Sequence, residues 1–410
     1  MKPFLACFIV LCFIAQSASS QFTIVPELRS KSFISTTANL GLESDVINQK
    51  FFRAYYNGDF LDRTLKNSTL SRLTENGKLA YYSTLGAHYY SRAYSNEEES
   101  NRFFKWHIGL AYHQFLETNF SRDFYTLLLF GNAQYENKKA ILSPMSFESL
   151  SYYDLSVGML HRLNHFYVQW KIDFLLGNQF NSFSISNGSL FTEQDGLALN
   201  FDLHWQLKRS ITSSLTDVNG KGLATGIKLF HQSERSLFSF ELDQLGLIQW
   251  SKNLSSKSID STLVFTGVNI GNIFDSIFVD IKNKEDLKSE FIREHSISKF
   301  TQSLPAVLKL NYTKKILNDQ FSVQLAVNKI LRKTAKSSID IGIHYFINPN
   351  CSIGLVGGLP AYSRWNLGMQ FSYYKTDRFF FVVQAPSLVN SFLHDQPASS
   401  FWGAKIGIHL

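Results

Sequence analysis

The chain has 410 residues, and its 40 Lys and Arg against 33 Asp and Glu give a formal charge of +7. No stretch combines clustered Lys and Arg with aromatic residues, which argues against a nucleic-acid surface. The mean hydropathy is −0.09, and no apolar run beyond the N-terminus reaches the ~18 residues of a membrane-spanning helix, which excludes a helical membrane protein. A soluble β-rich protein or a membrane β-barrel remains, since lipid-facing and lumen-facing residues average out in a barrel.

The N-terminus is typical of a secretory signal. Lys2 precedes an apolar run over residues 4–15, which ends in small and polar residues. A basic start, a short apolar core and a small-residue end are the parts of a cleavable signal. We therefore expect a signal peptide at residues 1–20 and an exported mature chain at residues 21–410. Cys351 is then the sole remaining cysteine, so no internal disulfide is expected.

Much of the mature chain alternates apolar and polar residues. At the C-terminus, Trp402, Ala404, Ile406, Ile408 and Leu410 alternate with Gly403, Lys405, Gly407 and His409. The same period recurs at residues 104–112, 153–159, 166–174, 199–207, 306–312, 321–327, 339–345, 351–357, 365–373 and 379–385. Alternate side chains of a strand point to opposite faces, so each segment predicts a strand with one apolar face. Many segments have the roughly 9–12 residues that a tilted strand needs to cross hydrocarbon.

A closed barrel follows from the last strand. A chain that ends on a strand must pair its free edge, and we expect that edge to pair with the first strand. The short connections at residues 314–319, 347–350 and 375–378 are then periplasmic, and the longer ones at 358–362 and 386–400 lie on the outer side. The predicted fold is an all-β, transmembrane antiparallel β-barrel of about 14 strands, within a range of about 12–16.

Three stretches break the two-residue period. Residues 59–74 space their leucines as a helix does, and residues 121–130 begin with a serine cap and stop before Gly131. We expect short helices there, at the barrel ends or as a plug in the lumen, and the N-terminal segment is an alternative plug. Residues 281–295 are rich in charge and are expected to form a long loop.

The polar parity predicts which side chains face the lumen. The candidates are Lys105, His107, Asp154, Lys171, Asp173, Asp202, His204, Lys208, Asp340, His344, Arg364 and Lys405, and the same parity adds His113, Lys228, Glu241, Asp243, Lys309 and His409. Charges of both signs either pair and pack the bore or select a solute. No catalytic, cofactor-binding or metal-binding residue is predicted. His107 and His113, for example, lie roughly 20 Å apart along an extended strand, too far to share one ion.

Five phrases, taken together, resemble a known family. They are Gly-Asp-Phe-Leu-Asp at 58–62, Phe-Gly-Asn at 130–132, Ser-Leu-Phe-Thr-Glu-Gln-Asp-Gly at 189–196, Asn-Gly-Lys-Gly at 219–222 and Leu-Asp-Gln-Leu-Gly-Leu-Ile-Gln-Trp at 242–250. Their order is similar to that of an exported Bacteroidota family of unknown function, predicted to form outer-membrane barrels. That family is broadly similar to fatty-acid channel-like barrels and to barrels associated with gliding and type IX secretion. The resemblance implies architecture and compartment, and it supplies no catalytic residues.

Three functions in the bacterial outer membrane stay open. The first is porin-like passive transport of a small solute, an apolar one included. The second is a non-transporting subunit or scaffold of a secretion, gliding or envelope-assembly complex. The third, an outer-membrane enzyme, is disfavoured because no pattern brings a nucleophile, a base and an orienting group together. The expected partners are outer-membrane lipid and lipopolysaccharide, with an envelope-complex protein in the second case, and without nucleic acid or cofactor.

Overall fold

The computed structural model describes residues 26–28, 30–94, 103–212, 214–265, 293–295, 298–317, 319–332, 334–375, 378–393 and 395–410. The expected signal peptide at residues 1–20 lies outside the described residues, as does most of the stretch 281–295.

Nineteen strands form one continuous sheet in these ranges. They are β1 Phe33–Asn48, β2 Asn76–Tyr90, β3 Phe104–Ser121, β4 Lys138–Ile141, β5 Met145–Leu163, β6 Phe166–Thr192, β7 Leu199–Ser210, β8 Gly220–Gln232, β9 Ser236–Trp250, β10 Leu254–Phe265, β11 Arg293–His295, β12 Phe300–Ser303, β13 Val307–Ile316, β14 Phe321–Ile330, β15 Ser337–Asn348, β16 Cys351–Leu359, β17 Asn366–Lys375, β18 Phe379–Ala385 and β19 Pro397–His409. The helices are α1 Gln49–Asn57, α2 Arg63–Leu70, α3 Arg122–Phe130 and α4 Leu388–Phe392, with 3-10 turns at Pro26–Leu28, Ala133–Tyr135 and Gln194–Gly196. No described helix is long and apolar enough to span a bilayer.

Fourteen of these strands close into an antiparallel barrel, which confirms the predicted fold class. The order around the ring is β1, β2, β3, β5, β6, β8, β9, β13, β14, β15, β16, β17, β18 and β19, and we call these the wall strands. The closing seam is the predicted one, because β19 pairs with β1 continuously from Phe33 opposite His409 to Glu43 opposite Ser399. The ring has no free edge, so its backbone donors and acceptors are paired between neighbours.

The apolar parity of the wall strands faces outward. Its exposed members include Ile34, Leu40, Leu85, Ile108, Leu110, Leu155, Ile172, Leu223, Leu245, Leu325, Ile341, Ile343, Leu355, Leu367, Trp402, Ile406 and Ile408. The polar residues between them point into the barrel. In water, this belt would exceed the few hundred Å² of apolar patch that soluble monomers tolerate. Contact with lipid removes the cost of exposing this apolar surface to water.

The two ends of the barrel carry different connections. Short turns at residues 164–165, 233–235, 317–320 and 349–350 join neighbouring wall strands at one end. The four helices and most of the long connections lie at the other end, whereas the connection from Tyr90 of β2 to Phe104 of β3 begins and ends at the end with the short turns. In outer-membrane barrels the short turns are periplasmic, so we name the two ends periplasmic and extracellular on that pattern.

Strand β6 runs beyond the barrel. It has 27 residues, which extend roughly 90 Å at about 3.3 Å per residue and so exceed what a membrane needs. Residues 166–177 pair with β8 in the wall, whereas residues 180–192 pair with β7, and β7 pairs with β10. The segment 199–207 therefore forms β7 outside the ring, which corrects its prediction as a wall strand. Residues 293–295 of the expected loop form β11, paired with β10.

Helices α1, α2 and α3 lie at the extracellular end. Asn48, Asp62 and Ser121 cap their N-termini by accepting hydrogen bonds from backbone N–H groups, and α1 ends at Gly58 with a φ of 72°. These are the side chains and the backbone conformation that helix ends prefer. The helix predicted at residues 121–130 is confirmed as α3, and α2 lies within the predicted stretch 59–74.

The three helices pack on the rim. Val46 and Phe120, at the ends of β1 and β3, form a buried apolar cluster with Phe51, Leu73 and Tyr125. Leucines of α2 pack against this cluster, so the helix rests at the barrel end. The N-terminal residues enter the lumen in its place, as described below.

We expect Leu325→Lys to destabilise the barrel far more than Gln324→Lys, its neighbour on β14. Leu325 is 43% exposed on the outer face, so an ammonium there meets hydrocarbon at a cost of about 2–4 kcal/mol. Gln324 faces the lumen, where its amide oxygen lies 3.0 Å from His344 Nε2, and losing that contact costs about 1 kcal/mol. The measurement is denaturant unfolding in phospholipid vesicles. Equal losses in both variants would contradict the outward assignment of the apolar parity.

Candidate functional site

A cavity of about 660 Å³ occupies the lumen. Most of its lining groups are hydroxyls, amides, imidazoles, carboxylates and ammonium groups of the wall strands, joined by Glu27 from the N-terminal segment. The volume falls within the range of about 300–1,000 Å³ that is usual for ligand pockets. Two groups of charged side chains dominate this lining.

The first, which we call the lysine group, consists of Lys228, Glu241 and Lys309. These residues lie directly opposite one another on the adjacent strands β8, β9 and β13. The Glu241 carboxylate is 3.2 Å from Lys228 Nζ and 2.7 Å from Lys309 Nζ. Glu27 also acts on Lys228 but is itself paired with Lys405, so three ammonium groups face two carboxylates and one positive charge is in excess.

The second, which we call the acidic group, consists of Asp154, Asp173 and Asp243 around Lys171. Lys171 Nζ lies 2.8 Å from Asp243 and 3.1 Å from Asp173. Asp154 accepts a 2.7 Å contact from His113 Nε2, and its second oxygen has no hydrogen-bond partner. Three carboxylates around one lysine leave an excess of negative charge, even when His113 is protonated.

A β-bulge in β9 turns Gln244 into the cavity beside Asp243, which already has the inward parity of Glu241. Between Thr225 and Ile227 the register shifts, so Asp243 and Gln244 lie opposite the single residue Gly226. Gln244 has a φ of 57°, a conformation uncommon for a residue with a side chain. A Cβ on Gly226 would lie 2.7 Å from Asp243 Oδ1 and 2.8 Å from Lys171 Cε. The glycine therefore leaves room for the ion pair, and bulges of this kind are common beside functional sites.

A hydrogen-bonded row fixes Asp154. Thr84 Oγ1 lies 3.1 Å from His113 Nδ1, and His113 Nε2 lies 2.7 Å from Asp154. A hydroxyl, an imidazole and a carboxylate in this order also occur in hydrolytic triads. Here the Gln244 amide sits 3.2 and 3.3 Å from the two ring nitrogens, and Tyr152 stacks on the ring. We assign the row the role of orienting Asp154.

The periplasmic end of the lumen is packed. Phe33, Tyr90 and Phe380 form a buried cluster there. Glu27, on the N-terminal 3-10 turn, is 4% exposed and lies 2.7 Å from Lys405 Nζ. Burial by itself raises the pKa of Glu27, but the ammonium groups of Lys405 and Lys228 outweigh burial, and the pKa falls from 4.5 to about 2. The N-terminal segment thus plugs this end through an ion pair.

The extracellular connections fold over the opposite end. Tyr82 Oη and the backbone N–H of Tyr362 both donate to the Glu43 carboxylate, each at 2.9 Å. Arg332 and Glu148 pair at 2.6 Å. These contacts hold Arg332 and Tyr362, in the connections after β14 and β16, against wall strands that are distant in the ring.

The structure places eight of the twelve candidate residues on the inner face of the wall. They are Lys105, His107, Asp154, Lys171, Asp173, Asp340, His344 and Lys405. Five of them line the cavity, whereas Lys105, Asp173 and His344 are buried beside it. Lys105 Nζ, for example, donates to the Lys31 carbonyl at 2.8 Å and lies 5.1 Å from the centre of the Phe33 ring.

The other four candidates lie outside the lumen wall, which corrects their prediction. Asp202, His204 and Lys208 belong to β7, which pairs with the projecting half of β6. β7 alternates apolar and polar residues as a wall strand does, but it pairs with the part of β6 that extends beyond the ring. Arg364 is exposed in the connection between β16 and β17, at the extracellular end.

Sequence reasoning missed three residues of the site. Glu27 lies in a segment without any period, and its burial depends on Lys405 at the opposite end of the chain. Gln244 has the apolar parity of β9 and turns inward through the bulge alone. Thr84 is uncharged, so the prediction of charged residues and histidines in the lumen did not select it. No group of three or more metal-ligating side chains is arranged for an ion within the ranges that the structure describes.

Comparisons with known proteins find barrels. A TodX monoaromatic hydrocarbon channel with the deltaS2S3 mutation is 8% identical, with a TM-score of 0.43 over 93% of this chain and 90% of that one. The P. putida toluene transporter TodX is 9% identical, with a TM-score of 0.41 over 93% and 88%. The translocator domain of the autotransporter NalP from Neisseria meningitidis is 7% identical, with a TM-score of 0.33 over 93% and 88%. Because all three scores lie below 0.5, no activity transfers to this chain.

Among curated protein sequences, none matches the chain. A family model does match, over residues 32–383, and it therefore includes all wall strands from β1 to β17 and most of β18. The chain belongs to the family of unknown function designated DUF5723.

Proposed function

We propose that this protein is an outer-membrane barrel that admits a small polar solute to its lumen and passes it without an energy source. The observation that carries the proposal is the charged cavity of about 660 Å³ inside a closed wall whose outer face is apolar. The belt would contact lipid, and basic residues near its ends would contact lipopolysaccharide phosphates.

The lining favours a polar solute over an apolar one. Lysine ammonium groups and carboxylates project into the cavity, and an apolar molecule would have to displace their water without replacing its hydrogen bonds. Leaving buried charges unpaired in this way costs several kcal/mol. A polar solute offers donors and acceptors in place of that water.

Transport predicts that Lys309→Gln changes the ion selectivity of the barrel. Lys309 contributes one of the two positive charges of the lysine group, so its loss should lower the ratio of anion to cation permeability about two-fold or more. The measurement is the reversal potential in planar bilayers under a salt gradient. The matched control is Lys208→Gln on β7, outside the ring, which should leave the ratio unchanged. A barrel that conducts no ions and admits no solute in liposome-swelling assays would contradict the proposal.

The plug predicts a pH-dependent conductance. The pKa of Glu27 is about 2 in the folded chain against an ordinary 4.5. A lowered pKa means that the ion pair with Lys405 stabilises the plug fully above pH 4.5 and is lost as the pH falls toward 2. Conductance should therefore rise over that interval.

Glu27→Gln tests the same contact at neutral pH. The amide cannot pair with the Lys405 ammonium as a charge, so the variant should conduct at pH 7 as the unmodified chain does in acid. Its response to acid should also shrink. A variant that retains both the low conductance and the acid response would show that the ion pair does not hold the plug.

A non-transporting scaffold is the second candidate. The packing of Phe33, Tyr90 and Phe380 at the periplasmic end favours it, as does the sheet of β7 and β10 beyond the rim, which offers surface for a protein partner. Chemical cross-linking in cells and purification of the full chain distinguish the two. A stoichiometric envelope protein, together with silence in bilayers, would favour the scaffold.

A further inference from the structure

The lysine group and the acidic group are neighbours along β9. Glu241 of the lysine group and Asp243 of the acidic group are two residues apart on β9, which places their backbones about 7 Å from each other. Excess positive charge thus faces the cavity next to excess negative charge. A wall that needed the charges for its own stability alone would pair them to neutrality.

Asp154 shows that the acidic group has unused acceptor capacity. The residue is 4% exposed, lines the cavity, and carries one carboxylate oxygen without a hydrogen-bond partner. A buried carboxylate oxygen without a donor is costly, and a bound ammonium group would supply the donor. Asp243 lines the same cavity.

The lysine group offers the complementary contact. Two ammonium groups, on Lys228 and Lys309, flank the single Glu241 carboxylate, and the side chain of Lys309 is 40% exposed to the cavity. A second carboxylate can therefore bind beside Glu241. A purely anionic solute would be repelled by the acidic group, and a purely cationic one by the lysine group.

We propose that the cavity binds a small zwitterion of the dipeptide class, with its amine at Asp154 and Asp243 and its carboxylate at Lys228 and Lys309. This inference rests on the proposed function and specifies its solute. Two extended residues span about 7 Å, the same as the backbone spacing of Glu241 and Asp243 on β9. The cavity holds such a molecule with room for water.

The test uses the full mature chain in detergent and four probes of one shape. Alanyl-alanine carries both charges, its acetylated form the carboxylate alone, its amide the amine alone, and the doubly blocked form neither. Calorimetry should show that alanyl-alanine binds about tenfold or more tighter than any blocked form, because each charge-assisted contact is lost in turn. Equal affinity for all four probes would overturn the inference.

Two variants separate the two contacts. Asp154→Asn should weaken binding of alanyl-alanine about tenfold, yet leave the acetylated form, which has no amine, unchanged. Lys309→Gln should weaken alanyl-alanine and leave the amide form unchanged. Lys208→Gln should change neither affinity. Uniform weakening of every probe by both lumen variants would indicate general damage to the wall and overturn the assignment of the contacts.

Flux into liposomes distinguishes failure of this inference from failure of transport. Faster entry of alanyl-alanine than of its blocked forms supports both. Equal entry of all four probes overturns the zwitterion site and leaves a general polar pore. Tight binding of alanyl-alanine without entry supports the site and overturns transport.

Discussion

Backbone hydrogen bonding is the constraint on which the whole structure depends. Hydrocarbon offers no donor or acceptor, so a spanning sheet must pair every N–H and C=O with itself. The chain meets this condition at the seam between β1 and β19, where the register runs unbroken from Phe33 to Glu43. Outward apolar residues and inward polar ones are then dictated by the alternation of the strands, and the charged lumen follows from the closed, lipid-facing wall.

Inside the wall, the main constraint is the free-energy cost of removing charged side chains from water. A barrel interior is shielded from bulk water, so each ammonium or carboxylate needs a partner within a few ångströms. Cross-strand register provides it, as the row of Lys228, Glu241 and Lys309 on three adjacent strands shows. Lys171 on β6 and Asp243 on β9 are separated by β8, and the absence of a side chain at Gly226 of β8 leaves room for their ion pair.

The sequence predicted the wall well because its signal is local. Alternation over 104–112, 166–174 and the C-terminal third reflects which face meets lipid, and that property needs no knowledge of the neighbouring strand. Capping is equally local, which is why the helix after Ser121 could be predicted. The narrow turn around Pro349 likewise follows from residue type.

The predictions that failed concern positions that are set by contacts between residues far apart in the sequence. β7 alternates as a wall strand does, and only its pairing with the far half of β6 places Asp202, His204 and Lys208 outside the ring. Glu27 acquires its place from Lys405, at the other end of the chain. Gln244 has the parity of an outward residue until the bulge reverses it. A single sequence does not show which distant residues will come into contact.

The irregular positions of the wall carry the chemistry. A regular barrel of alternating residues would satisfy its backbone and present an even polar bore, and nothing in that arrangement would distinguish one solute from another. The bulge at Asp243 and Gln244 holds a residue at a φ of 57°, a local cost that regular pairing would avoid. Its gain is the Gln244 amide placed on His113. The strain contributes nothing to closing the ring. We infer that it is retained because it positions side chains in the lumen.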